Sequence, residues 1–205
     1  MTNARKSRES AREKVERMRA EQAAAARRRM TIIIASAVVL VLAIAGGVTA
    51  IVLHSRKPAV DLSAVQTFTE TRNHVQGTVS YPQTPPAGGD HNPVWLNCGI
   101  YTAPVANENA VHDLEHGAVW ITYQPSLATS DIAKLTTYAK GQTYLDLSPY
   151  PNLPAPVVVS AWGKQLRLTG ASDPRLEAFV KKYKQGPQTP EPGSPCTGGT
   201  GTPNG

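Results

Sequence analysis

Three of the chain's five histidines and one of its two cysteines fall in a single stretch, His91 to Tyr123. His112 and His116 lie four residues apart, so on a short helix their imidazoles share a face, and Glu115 sits one step round from the second. A neutral imidazole is a good ligand for Zn, Cu, Ni or Fe, and a zinc site needs three or four such groups converging. His91 and His74, each on or beside a loop, can supply the third and fourth. The pattern therefore predicts a divalent transition metal, Zn or Cu, held by His74, His91, His112 and His116. Glu115 is the candidate base or orienting carboxylate, with Asp113 also at hand. The competing structural account has one histidine bonding a carbonyl and the other half-buried beside Trp120 or Trp95.

His112-Asp-Leu-Glu115-His116 also spells H-x-x-E-H, the pattern of inverzincin metalloproteases. In those enzymes it lies in a long helix, whereas here Gly117 and the strand-like Ala118–Tyr123 cut the helix short. Ser80, Ser126 and Ser148 lack a nucleophile-elbow setting, which argues against serine hydrolysis. Trp95, Trp120 and Trp162 are expected in packing or at a rim.

The elements that must position these groups follow from the rest of the chain. Residues 31–53 carry no charge over 23 positions, long enough to cross a hydrocarbon core of roughly 30 Å as a helix. Residues 1–30 hold ten Lys/Arg against four Glu, with Arg27-Arg28-Arg29 abutting the span, while the far flank offers only Arg56 and Lys57. Positive flanks stay inside. The expected topology is a single-pass cell-membrane protein with a cytoplasmic N-terminus and an extracytoplasmic C-terminal domain. Of the chain's 21 Lys/Arg and 15 Asp/Glu, 11 of each lie beyond residue 53, so the basic balance belongs to the tail. An outer nucleic-acid groove is excluded on that ground.

Both cysteines then lie where disulfides persist, and a Cys98–Cys196 bond is predicted; two free thiols, or Cys98 as a metal ligand, are the alternatives. Residues 1–30 are a basic helical tail, 31–53 the span, 54–66 a linker and 67–186 the outer domain. His74–Tyr81 could include a short strand, and Pro82–Pro93 is a loop that carries His91. Ser126–Lys140 looks helical, with Ser130 as N-cap and Gly141 as stop. Val157–Trp162 and Gln165–Leu168 form a hairpin about Gly163-Lys164. Asp173-Pro174 opens a helix that turns Leu176, Phe179, Val180 and Tyr183 inward. Residues 187–205 are disordered unless Cys196 ties them down. The fold class is α+β, a small sheet with helices on one face, preceded by one transmembrane helix and a basic cytoplasmic helix. The strand, helix, hairpin, helix order also matches the second half of a thioredoxin-like fold, without its C-x-x-C.

These pieces resemble a bacterial family of membrane-anchored proteins, domain of unknown function 3105. The resemblance rests on His74-Val with Tyr81-Pro, Pro85-Pro86-x-Gly-Gly-x-His91, Gly99-x-Tyr101, Val111-His112-x-Leu-Glu115-His116-Gly117 and Ala161-Trp162-Gly163, across roughly residues 67 to 185. It implies a short basic tail, one span and an outer domain, and makes His74, His91, His112, Glu115 and His116 one functional unit; it supplies no activity. The expected functions are a metal-binding envelope protein, an accessory or interaction subunit of a membrane or envelope complex, or a metal-dependent hydrolase of peptide or cell-wall material. The partners expected are the membrane and such a complex.

Overall fold

The computed structural model describes residues 3–55 and 60–204, so the flanking Arg56 and Lys57 lie outside the described residues. The chain divides into two units, Met1–Pro58 and Ala59–Gly205.

The first unit is one continuous helix, α1 (Asn3–Ser55). Strong helix formers without Gly or Pro make its basic half, and the apolar run continues it without a break. Among the described residues this helix alone, over Arg12–Ile51, is long and apolar enough to cross a membrane, with a stretch of mean hydropathy 2.6.

The second unit is an α+β layer around a five-stranded mixed sheet. In chain order the elements are β1 (Gln66–Thr67), α2 (Asn107–His116), β2 (Val119–Tyr123), α3 (Thr129–Ala139), β3 (Leu145–Pro149), β4 (Val157–Ala161), β5 (Lys164–Leu168) and α4 (Arg175–Tyr183). The strand order is β1-β5-β4-β2-β3, with β2 and β3 parallel and the other pairs antiparallel. A parallel pair needs a crossover, and α3 provides it.

Every residue of β2, β3 and β4 is buried, so both faces of the sheet are covered. Side chains alternate between the faces. Val119, Ile121, Leu145, Leu147, Val157, Val159, Leu166 and Leu168 pack with Leu135 of α3 and with Leu176, Phe179, Val180 and Tyr183 of α4, the inward set predicted for that helix. The alternate residues present Trp120, Asp146, Ser148, Ser160 and Gln165, all buried, and α2 lies on this side through Ala110, Val111 and Leu114 around Trp120. This polar second face sets the site's surroundings.

Three local expectations are corrected. α3 starts at Thr129 after Ala128, with no side-chain cap bond, so Ser130 is inside the helix and does not cap it. The hairpin pairs Ala161 with Lys164, which makes Trp162-Gly163 the turn; Gly163 supplies its positive φ of 63°. The strand looked for in His74–Tyr81 is a single bridge between His74 and His91. α4 starts at Arg175 after Pro174 as N-cap, and Asp173, one residue further back, accepts from the Arg175 amide at 3.0 Å. Cys98 and Cys196 are joined, with Cα atoms 5.3 Å apart, which meets the condition for order after residue 186. The analogy to thioredoxin stays with element order and brings no redox motif, since the cysteines are 98 residues apart.

Candidate metal centre

The site forms where two glycine-rich corners press a loop against α2. Gly117 follows α2 in the left-handed conformation (φ 98°), with Ala118 N–H donating to Asp113 O and Gly117 N–H to Leu114 O. That is a Schellman stop, and it ends the helix one residue after His116. At the other end Leu96 N–H donates to Asn109 O and Val79 N–H to the Glu108 carboxylate, pinning the incoming segments to the first turn of α2. The Pro85–Gly89 corner is buried and docks on the hairpin turn, with Gly163 N–H donating to Ala87 O at 2.6 Å. Backbone bonds Val75 N–H to His91 O and His91 N–H to Asn73 O then set His74 beside His91.

The ligand atoms of His74, His91, His112 and Glu115 lie within 4.8 Å of one another. Glu115 Oε2 is the hub, 3.0 Å from His91 Nε2 and 3.6 Å from His74 Nε2. His116 stands one step further on, its Nε2 2.9 Å from His112 Nε2. Thus three of the four histidines expected to act as ligands, His74, His91 and His112, come together. His116 meets the group through His112, and Glu115, predicted as a base or outer carboxylate, has its oxygen inside the cluster. His91, His112, Glu115 and His116 are buried, whereas the His74 side chain is 47% exposed and forms the open edge. Trp95 lies over His112 and His116 at 5.9 and 5.4 Å between ring centroids, and Trp162 meets the edge of His91.

Hydrogen bonds fix the tautomers. Nδ1 of His91 faces Gly89 O at 2.7 Å, Nδ1 of His112 faces Asn92 O at 2.6 Å and Nδ1 of His116 faces Pro195 O at 2.6 Å. A carbonyl only accepts, so each Nδ1 carries the proton and each neutral ring turns a bare Nε2 lone pair inward. His91 Nε2 then meets a carboxylate oxygen, and His112 Nε2 meets His116 Nε2, acceptor against acceptor. Such contacts need a cation between them, whether a proton or a metal ion.

Burial pushes the His112 ring down to about 4, helped by the charges of His116, His91 and His74 and opposed by the Asn92 carbonyl. His112 is therefore neutral near pH 7, the form that binds metal. Burial pushes Glu115 up, but the hydrogen bond and charge of His91, with His112 and His74, outweigh it and hold the carboxyl below its usual range.

Behind this face lies a pair that spacing in the sequence gave no sign of. Asp113 and Asp146 are both fully buried, and one oxygen of each, Asp113 Oδ1 and Asp146 Oδ2, finds no N–H or O–H donor. A proton held between the two carboxyls satisfies both oxygens. Burial raises Asp146 to about 7 against a Gly99 amide bond that lowers it, and burial with the Asp146 charge raises Asp113 well above the usual range. Raised carboxyls bind more protons folded than unfolded, so their contribution to stability is full below about pH 4 and is lost as pH rises through about 7. Asp146→Asn, whose amide can donate to Asp113, is expected to flatten the melting temperature of the full chain between pH 5 and 8 and to raise it at pH 8. Parallel pH curves for the two proteins would contradict a shared proton.

Fold and site together define an α+β domain that carries a three-histidine, one-glutamate cluster, in a chain whose helix α1 is long and apolar enough to cross a membrane. The chain belongs to the family described as Protein of unknown function (DUF3105), which matches residues 74–198, more than half of its 205 residues. That span takes in every member of the cluster and both cysteines. No curated protein and no solved structure matches the chain.

Proposed function

We propose that this is a single-pass membrane protein whose domain outside the cytoplasm binds one divalent transition metal ion, Zn or Cu, through His74, His91, His112 and Glu115, with His116 beside the site. The observation that carries it is the convergence of the four ligand atoms, with the inward Nε2 lone pairs of His91 and His112 each fixed by a backbone carbonyl at Nδ1. Metal-ligating histidines are oriented in this way. A set of three imidazoles and a carboxylate suits Zn, Cu, Ni or Fe and lacks the sulfur that Cu(I) favours. Zinc bonds of about 2.0–2.1 Å space tetrahedral ligand atoms about 3.3–3.5 Å apart, so atoms already within 4.8 Å close on an ion through side-chain rotation.

Two features support the membrane topology. The large side chains of the apolar run, among them Ile34, Val39, Val41 and Leu42, are exposed, as those of a lipid-facing element are. The basic flank on its N-terminal side and the disulfide beyond it favour a cytoplasmic N-terminus. With Glu115 as a ligand its carboxylate is engaged, which favours a metal-holding role over hydrolysis with Glu115 as base. Bound metal would supply a Lewis-acid or redox centre at the edge where His74 is exposed.

Elemental analysis of the purified chain after chelation and reconstitution with Zn or Cu is expected to find one equivalent, with a rise in thermal stability. Less than half an equivalent of either, with stability unchanged, overturns the assignment.

A further inference from the structure

The last segment of the chain forms a strap across the histidine cluster. Glu191 N–H donates to Glu115 O, Pro195 O holds His116 Nδ1, and the Glu191 carboxylate lies 3.9 Å from His116 Nε2. Thr197 O takes the Trp95 indole N–H at 3.3 Å, and Thr200 pairs with the backbone on either side of Leu96, so the strap also seats the indole that covers His112 and His116.

What holds this strap is unusual for an ordered segment. Of residues 187–204 only Thr189 and Cys196 are buried; the rest are Pro, Gly and polar side chains at least partly open to solvent. Ordering a residue costs on the order of 1–2 kcal/mol of backbone entropy, which hydrogen bonds of about 1 kcal/mol at a wet edge do not offset without apolar burial. The covalent bond, closing 98 residues, keeps the strap near its seat. Cys98 is partly open to solvent, so a small thiol can reach it.

We infer that the Cys98–Cys196 disulfide is a reducible latch: opening it frees residues 187–204 and unclamps the histidine cluster beneath, lowering its affinity for metal. The second half of this inference rests on the metal-binding function proposed above. A dithiol is the reductant. Its first thiolate attacks one sulfur to give a mixed disulfide, and its second resolves that intermediate. The dithiol leaves as its own disulfide, and its two hydrogens end on Cys98 and Cys196.

The test uses the full chain in detergent and reads two quantities. Amide hydrogen exchange is compared for the oxidised chain, the chain reduced with dithiothreitol, and the Cys98→Ser/Cys196→Ser variant. The strap amides of Gly199, Thr200 and Asn204, and those of Asn97 and Cys98 that donate to the strap, are expected to exchange at least 10-fold faster in the last two, while β2 and β4 keep their protection. Zinc affinity by competition titration is expected to fall about 10-fold in the serine variant, which has no thiols to bind the metal. Strap protection unchanged by reduction overturns the latch and leaves the metal site standing. A freed strap with zinc affinity unchanged overturns the coupling. Zinc bound by neither form, with strap exchange still accelerated, removes the metal site and supports the latch.

Discussion

Alanine at His91 is expected to lower metal affinity by at least ~100-fold, since orienting groups alone are worth about 10–100-fold and His91 is a candidate ligand. His91 is fully buried, its Nε2 sits 3.0 Å from Glu115, and its ring packs against His74, His112 and Trp162. The variant loses packing as well as a ligand, so a fall in stability alone proves nothing. The discriminating measurement is the stabilisation that zinc adds. Wild type at a zinc concentration 100 times Kd should gain about 2.7 kcal/mol, and the variant close to none. If the histidines only brace the fold, zinc adds nothing to either protein and His91→Ala destabilises both conditions equally. Affinity should also fall as pH drops and protons compete for the Nε2 lone pairs.

The parts of this molecule that could be read from the chain are those whose signal is local. A four-residue spacing put His112 and His116 on one face of α2, Gly117 marked its end, and the apolar periodicity of Leu176, Phe179, Val180 and Tyr183 named the buried side of α4. The disulfide was legible because the chain's two cysteines both follow the apolar helix and have only each other. Long-range facts were not legible. β3 is hard to read because Leu145–Pro149 ends in proline, a sign of a loop, yet it pairs with β2 along its length, meets Ile100 on its other side at a single bridge, and tolerates proline at its end. Glu115 entered the cluster because the His74–His91 bridge approaches α2 from its side, a matter of tertiary docking. The Asp113–Asp146 pair joins residues 33 positions apart, and no periodicity relates a helix residue to a strand that returns beneath it.

Valine at Gly117 is expected to destabilise the domain by about 3–5 kcal/mol and to weaken metal binding with it. Two costs combine. Gly117 has φ 98°, where a side chain costs roughly 1–2 kcal/mol and a β-branched one more. A Cβ there would also lie 2.5 Å from Gln185 Nε2, 2.9 Å from Gln185 Cδ and 3.0 Å from Thr189 Cγ2, and overpacking of that kind costs roughly 1–3 kcal/mol. Gln185 cannot move freely, because its side-chain amide donates to His116 O, its own N–H donates to Gly117 O, and its Oε1 accepts from Gly193 at the start of the strap. Displacing it therefore disturbs the end of α2 and the strap together, one residue from His116. Asn tolerates left-handed backbone but keeps the clash, so Gly117→Asn should fall between wild type and valine in denaturant midpoint. A valine variant within about 1 kcal/mol of wild type would mean that the corner relaxes and that the α2 terminus does not hold the cluster.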